Sequence, residues 1–412
     1  MKKIIISFTL SILVANFNVQ AQVQKMYVDT KTNVVERQST YISNITFIPL
    51  QLPKYVEINK YDFLMIHKNY FIFDQSTSKS ILFFSKEGKF IKKISYKNLG
   101  DGFSPVFNRA ENLIKFFGNN KHYTLTQRDR VIVDENYKKS RYKKYFRKYV
   151  IDLSDTSLLL KRTIPNTNDI SITYKIFDDH YIRSKCQVSS LFKDSIAYEL
   201  LFYQGDSLIG NFFPYNHKNE PKFLYNSQIL SVICNNARTP NDKYISRYFC
   251  DTIYLLNKIG IEPAFEVVLP LENKLPNSFF TTPFKNKTER GNFEQNNGNL
   301  LSIPFVILDR PSFIILGIAF INDYNIFLYD KKNKKTFLIN NIKPDGVLDF
   351  NIPVLNQFDD NFFEEKMYSL LLADDIKNNF KQIKQTPIPL TLDSIVHGRA
   401  TNPIIAVITL KN

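Results

Sequence analysis

The stretch from Ser80 to Gly102, SILFFSKEGKFIKKISYKNLGDG, sets two apolar runs around a charged turn and then enters a glycine-bearing loop. Alternation along an extended chain puts Ile81 and Phe83 on one side and Leu82 and Phe84 on the other. Both faces of the first run are therefore apolar, and such a strand belongs between two layers. Ser85-Lys86-Glu87-Gly88 reverses the chain, with Gly88 free to take a positive φ. In the returning run Phe90, Lys92 and Ile94 share one side, while Lys93 and Ser95 mark a wetter one. A buried strand hairpinned to a more exposed strand is how the outer half of a propeller blade looks.

The unit recurs down the chain in degenerate form. Tyr198–Pro214 pivots on Gln204-Gly205-Asp206, Tyr248–Leu269 on Ile259-Gly260, and Asn325–Asn340 on Asp330-Lys331-Lys332-Asn333. Short bursts rich in Ile, Phe, Tyr and Val, separated by Asn, Asp, Lys and Gly, are an all-β signature. Several tens of residues separate successive units, which leaves room for two more strands per copy. Four-stranded antiparallel blades around a central axis satisfy that spacing.

YFIFDQSTSKSILFFSKEGKFIKKI (Tyr70–Ile94), CDTIYLLNKIGIEPAFEVVLP (Cys250–Pro270), YNIFLYDKKNKKTFLI (Tyr324–Ile339) and NPIIAVITLK (Asn402–Lys411) resemble the six-bladed β-propeller family of exported Bacteroidetes proteins. The resemblance implies an NHL-like, six-bladed propeller over residues 22–412, and it supplies no catalytic residues. Where the family has a Gly-x-Gly-Pro-Gly-Glu-Tyr loop, this chain has Gly100-Asp101-Gly102-Phe103-Ser104-Pro105, keeping two glycines and a displaced proline. Asn112–Cys186 matches only loosely.

Near the C-terminus, Phe363, Met367, Leu370 and Leu371, then Ile376, Phe380 and Ile383, fall at helical spacing, so a helix packed on the ring is expected over about 361–385, capped by Asp359, Asp360 and Asn361. A closing strand over about 403–411 is expected to pair with an N-terminal strand around Ile45–Leu52, removing the ring's free sheet edges.

Met1-Lys2-Lys3, the apolar run Ile4–Val14 and Val19-Gln20-Ala21 have the layout of a signal peptide, with removal expected after Ala21. The apolar run is about eleven residues, short of the roughly 20 that span a bilayer as a helix, so no transmembrane span is expected. The first cysteine is Cys186, too late for a lipoprotein. Periplasmic or extracellular localisation follows. Losing the two lysines of the leader takes the formal net charge from +15 to +13. Export directs that excess toward glycans, peptides, envelope proteins or other anionic surfaces rather than nucleic acid. Cys186, Cys234 and Cys250 form no disulfide framework, and a Cys234–Cys250 bridge stays open.

The chain lacks the glycine spacings of a phosphate loop and the Gly-x-Ser-x-Gly of a serine hydrolase. His67, His122, His180, His217 and His397 stand singly, and Asp178-Asp179-His180 reads as a polar turn, so no metal or cofactor is expected. Asp101, Arg109, Arg238 and Arg310 stand in loops beside inner strands, where a site at the channel mouth draws its polar groups, and they are the candidate binding residues. Lys138–Tyr149, KKSRYKKYFRKY, mixes cations with aromatics but gives no single binding stripe, and reads as a solvated outer strand or loop. These features favour a monomeric, non-enzymatic binding or interaction protein. The alternative is a lyase or hydrolase working at the channel mouth.

Overall fold

Strands pair antiparallel into six four-stranded blades, one of which carries a fifth, parallel strand, in a computed structural model that describes residues 23–99, 105–108, 112–119, 146–163, 173–184, 197–205, 207–215, 232–237, 239, 242–282, 284–345, 362–363, 366–382, 390–398 and 400–411. The chain is a six-bladed β-propeller. Blade 1 comprises Phe63–Ile66, Tyr70–Gln75, Ser80–Ser85 and Phe90–Ser95, and blade 2 comprises Pro105–Asn108, Leu113–Asn119, Phe146–Asp152 and Leu160–Thr163. Blade 3 is Thr173–Phe177, His180–Ser184, Ala197–Gln204 and Ser207–Tyr215, and blade 4 is Val232–Asn236, Lys243–Arg247, Thr252–Leu256 and Ile261–Val268. Blade 5 is Leu301–Asp309, Phe313–Phe320, Tyr324–Asp330 and Lys335–Leu338. In each, the first strand lies toward the axis and the fourth toward the rim.

The four hairpins read from the sequence are the third and fourth strands of blades 1, 3, 4 and 5. Ile81, Leu82, Phe83 and Phe84 are all fully buried. Ile81 and Phe83 enter a core shared with Ile114, Phe116 and Ile151 of blade 2. Leu82 and Phe84 enter another with Tyr368, Ile405 and Val407 at the far end of the chain. Each such side chain contributes roughly 1.5–3 kcal/mol on burial, so the two faces of one strand bind it to both neighbours.

Blade 6 takes Phe362–Phe363, Lys366–Leu371 and Ile404–Leu410 from the C-terminal region and its fourth strand, Ile42–Pro49, from the N-terminal region. The register runs from Ile404 opposite Pro49 to Leu410 opposite Ile42. The expected closure is present, with the N-terminal strand a few residues earlier than anticipated. Gly88 sits against this seam: its φ is +83°, a Cβ there would lie 2.2 Å from the Pro49 carbonyl oxygen, and its own carbonyl accepts from the Gln51 N–H at 2.8 Å.

A strap not anticipated from the sequence precedes that strand. Gln24–Tyr27 adds a fifth, parallel strand to the rim of blade 4, against Phe265–Val268. Glu36–Arg37 then pairs with Ile342–Lys343. Met26 and Val28 are buried in the core between blades 4 and 5, and Tyr41 and Ile42 in that between blades 5 and 6.

The helix expected over 361–385 is corrected. Lys366–Leu371 is a strand, and the helix spans Ala373–Gln382. Met367 and Leu371 fit helical spacing, but Tyr368 and Ser369 are buried too, and the segment pairs along its full length with Ile404–Thr409. The Asp375 carboxylate accepts from the Leu372 N–H at 3.2 Å, and Asp374 and Asp375 occupy the positive end of the helix. A second helix, Leu390–Val396, packs with it on Ile45, Phe47, Ile404 and Ala406 of blade 6. Phe146–Tyr149 also departs from the reading of a solvated outer element: it opens the third strand of blade 2, flanked on both sides. Residues 138–145 lie outside the described residues, as do 1–22. Cys250 is a free thiol, so the Cys234–Cys250 bridge is not formed. No helix among the described residues is long and apolar enough to cross a membrane.

Candidate functional site

Alternating strand direction sorts the connections onto two faces. Turns between first and second strands and between third and fourth strands open on one, the turn face. Blade-to-blade connections, and those between second and third strands, open on the other, the loop face.

Arg310 lies on the turn face, in the first turn of blade 5. Its N–H donates to the Phe313 carbonyl at 2.8 Å, and its carbonyl accepts from Lys331 Nζ at 2.5 Å. The same ammonium pairs with Asp309 Oδ1, and Asp309 Oδ2 accepts from the Tyr244 hydroxyl of blade 4 at 2.7 Å. The Asp309 side chain is 5% exposed, so this carboxylate is a buried bolt between blades 4 and 5. Asp101, Arg109 and Arg238 lie outside the described residues.

His67, Lys258 and Lys86 also reach across to neighbouring blades. His67 Nδ1 accepts from the Asn69 N–H at 3.3 Å, which leaves Nε2 as the donor to Asn112 Oδ1 of blade 2 at 2.6 Å. Its ring stacks on Tyr70 at 5.3 Å. Lys258 of blade 4 pairs with Asp178 of blade 3 at 2.9 Å. The Lys86 ammonium sits over the rings of Phe71, 4.5 Å away, and of Tyr368 in blade 6, 4.9 Å away. Lys68 and Lys366, at the inner turn-face ends of blades 1 and 6, are exposed.

On the loop face, Arg247 of blade 4 makes two hydrogen bonds to Glu199 of blade 3, at 2.9 and 2.6 Å, and stacks over Phe213 at 4.2 Å. Burial opposes the guanidinium charge, but the Glu199 carboxylate outweighs it and holds the pKa above its ordinary value. In blade 1, Asp74 accepts from the Tyr96 hydroxyl at 2.8 Å. Burial, with a smaller push from Asp62, raises the Asp74 carboxyl against the pull of that hydrogen bond. Burial and Asp74 together drive the Tyr96 phenol well up. Asp62 takes Gln75 Nε2 at 2.8 Å and the Asn59 N–H at 3.1 Å, fixing the segment that descends from blade 6 into blade 1. Between blades 4 and 5 the helices Asn277–Thr281 and Lys287–Asn296 bury Phe279 against Phe249, Phe284 and Phe293, with Arg290 over three of these rings.

Sequence reasoning missed Glu199, Arg247, Asp62 and Asp74. Glu199 had a signal: it stands between Tyr198 and Leu200 in a strand apolar on both sides, and a buried carboxylate demands a cation from the next blade. Among the described residues, no three His, Cys, Asp or Glu side chains group as a metal site.

Residues 18–102 match the DUF5128 family model, described as a 6-bladed beta-propeller. Among solved structures the chain is similar to a Bacteroides fragilis protein assigned as exported, at 15% identity and a TM-score of 0.55, covering 95% of this chain and 100% of that one. It is also similar to a DUF4221 family member from Bacteroides vulgatus, at 10% identity and a TM-score of 0.42, covering 90% of this chain and 98% of that one. At these identities the first likeness bears on the fold. No curated protein matches the chain.

Proposed function

We propose that this six-bladed β-propeller is an exported, non-enzymatic recognition protein of the cell envelope, engaging a glycan, peptide or protein ligand at the turn face. The observation that carries the reading is how the turn face spends its polar groups. His67, Asp178, Lys258 and Asp309 bridge adjacent blades, and Lys331 holds Asp309 from within blade 5. Groups held in such pairs make a rigid platform, which suits preorganised binding better than proton transfer. Lys68, Arg310 and Lys366 stand at its inner edge, and Arg109, Arg238 and Arg310 are its proposed contact residues; Asp101, in the connection from blade 1 to blade 2, is a proposed contact on the opposite, loop face. Residues 1–21 act as a cleaved signal peptide, and residues 22–412 work as one monomeric propeller domain. The likeness to a protein assigned as exported agrees with that placement.

The test is a glycan and peptide array probed with residues 22–412, followed by solution titration. The expected result is saturable binding of one ligand class, recovered chemically unchanged and weakened about tenfold in a Lys68→Ala/Arg310→Ala variant of unaltered melting temperature. Recovery of cleaved ligand, or affinity indifferent to both substitutions, overturns the proposal.

A further inference from the structure

The turn face is electrically divided. At the turn-face ends of blades 5, 6 and 1 stand seven exposed lysines, Lys332, Lys334 and Lys335, Lys366 and Lys411, Lys68 and Lys89, of which Lys411 donates to the Ser39 carbonyl. The described acids of that sector are the exposed Glu87, the buried Asp330, Asp309 with its side chain buried, and Asp345, which accepts from the Ser39 hydroxyl beside Lys411. Asp330 is spent on its own turn, accepting from the Lys332 and Asn333 N–H groups at 2.9 and 3.0 Å. Glu364 and Glu365, which precede Lys366, lie outside the described residues. In blades 2, 3 and 4 the same face carries Asp152, Asp155, Asp178, Asp179 and Asp242, with Lys161 paired to Asp155 and Lys258 to Asp178.

Resting on the recognition reading above, we propose that the sector formed by blades 5, 6 and 1 binds an acidic polysaccharide. Cations spread over three blades match anions repeated along a chain better than a single compact charge. Screening at physiological ionic strength cuts each interaction off within about 8 Å, so affinity has to come from several local pairs. A bilayer fits less well. None of the exposed large apolar side chains among the described residues falls on the turns of this sector, whereas Ile259 and Leu159 project from turns of the acidic half. Beside Lys89 the exposed apolar side chains are Tyr55, edge-on to Phe90, and Ile91, and so few anchors favour a soluble polyanion over a membrane interface.

The experiment titrates residues 22–412 with polygalacturonate, neutral dextran and vesicles of phosphatidylglycerol with phosphatidylcholine, at about 50 and 300 mM NaCl. Polygalacturonate is expected to bind, to lose about tenfold in affinity between the two salts, and to lose about tenfold again in Lys332→Glu/Lys335→Glu/Lys366→Glu. Asp155→Asn/Asp179→Asn, on the other half, is expected to bind within about twofold of the parent. Circular dichroism and melting temperature establish that both variants are folded. Equal binding of dextran, or an unaltered affinity in the lysine variant, overturns the inference. Vesicles bound more tightly than polygalacturonate and released by the same substitutions overturn it in favour of anionic lipid. If polygalacturonate fails while an array ligand still depends on Lys68 and Arg310, this inference falls and the recognition reading stands; if neither dependence is seen, both fall.

Discussion

Blade 1 and blade 6 hold the same four-stranded sheet by opposite means. Blade 1 is contiguous from Phe63 to Ser95, with every partner a hairpin away. Blade 6 draws three strands from residues after 361 and its fourth from Ile42–Pro49, so its last ladder joins residues more than 350 positions apart. Local pairing carries little loop-closure entropy, whereas the closing ladder forms only when the other blades have set the two ends side by side. The difference bears on the proposed binding sector. Lys68 and Lys89 stand on blade 1, Lys366 and Lys411 on blade 6, and closing the ring is what makes them neighbours.

Deleting residues 403–412 breaks blade 6 most severely, because it strips a fully buried strand and exposes an edge on each side. The expected outcome is loss of a cooperative thermal transition by circular dichroism. Phe83→Ala in blade 1 leaves a cavity in an otherwise intact local blade and is expected to cost about 3–5 kcal/mol in urea unfolding while the transition stays cooperative. Arg247→Ala strands the buried Glu199 carboxylate and is expected to cost a comparable 3–5 kcal/mol, largely recovered in the Glu199→Gln/Arg247→Met double variant. Met26→Ala removes only the strap's buried anchor. It is expected to cost about 2 kcal/mol and to speed hydrogen exchange at Gln24–Val28 more than in the blade cores.

The smallest effect is a matter of pH. Asp74 titrates higher in the folded chain than in the unfolded one, so its protonation stabilises the fold. That contribution is full below the ordinary carboxylate range and is lost as pH rises through the raised value. Asp74→Asn keeps an acceptor for Tyr96 and removes the titration. The variant is expected to show a flatter dependence of stability on pH from the ordinary carboxylate range up to neutrality, with a small gain in stability at neutral pH.

The same contrast explains what could be read from the residues alone. The outer hairpins were legible because alternation and turn chemistry are local: Ile81 to Phe84 read as buried on both sides, and Gly88 as the turn. The closing ladder was legible because joining the last strand, Ile404–Leu410, to an N-terminal strand closes the ring and removes its free sheet edges. The strap was invisible, since Gln24-Lys25-Met26-Tyr27 has one buried residue and borrows its regularity from Phe265–Val268. The segment around Met367 misled because i, i+4 spacing and a doubly buried strand produce the same residues, and only the ladder with Ile404–Leu410 decides between them. Of the candidate residues, Arg310 lies where it was read, in a turn beside an inner strand, because that position is visible locally. The pairing of Glu199 with Arg247 spans two blades and required the ring.

The central claim is that the ends of the chain meet in blade 6 and thereby assemble the basic sector. It is tested most directly by a Thr46→Cys/Val407→Cys variant, because those residues face one another in the closing ladder. Directly opposed residues of an antiparallel pair lie about 4.5–5.5 Å apart between Cα atoms, within disulfide reach. Mild oxidation is expected to form an intramolecular crosslink absent from either single variant, to raise the melting temperature, and to leave polygalacturonate affinity within about twofold. No crosslink in folded protein, or a crosslink that lowers the melting temperature, would contradict the closure and the sector built on it.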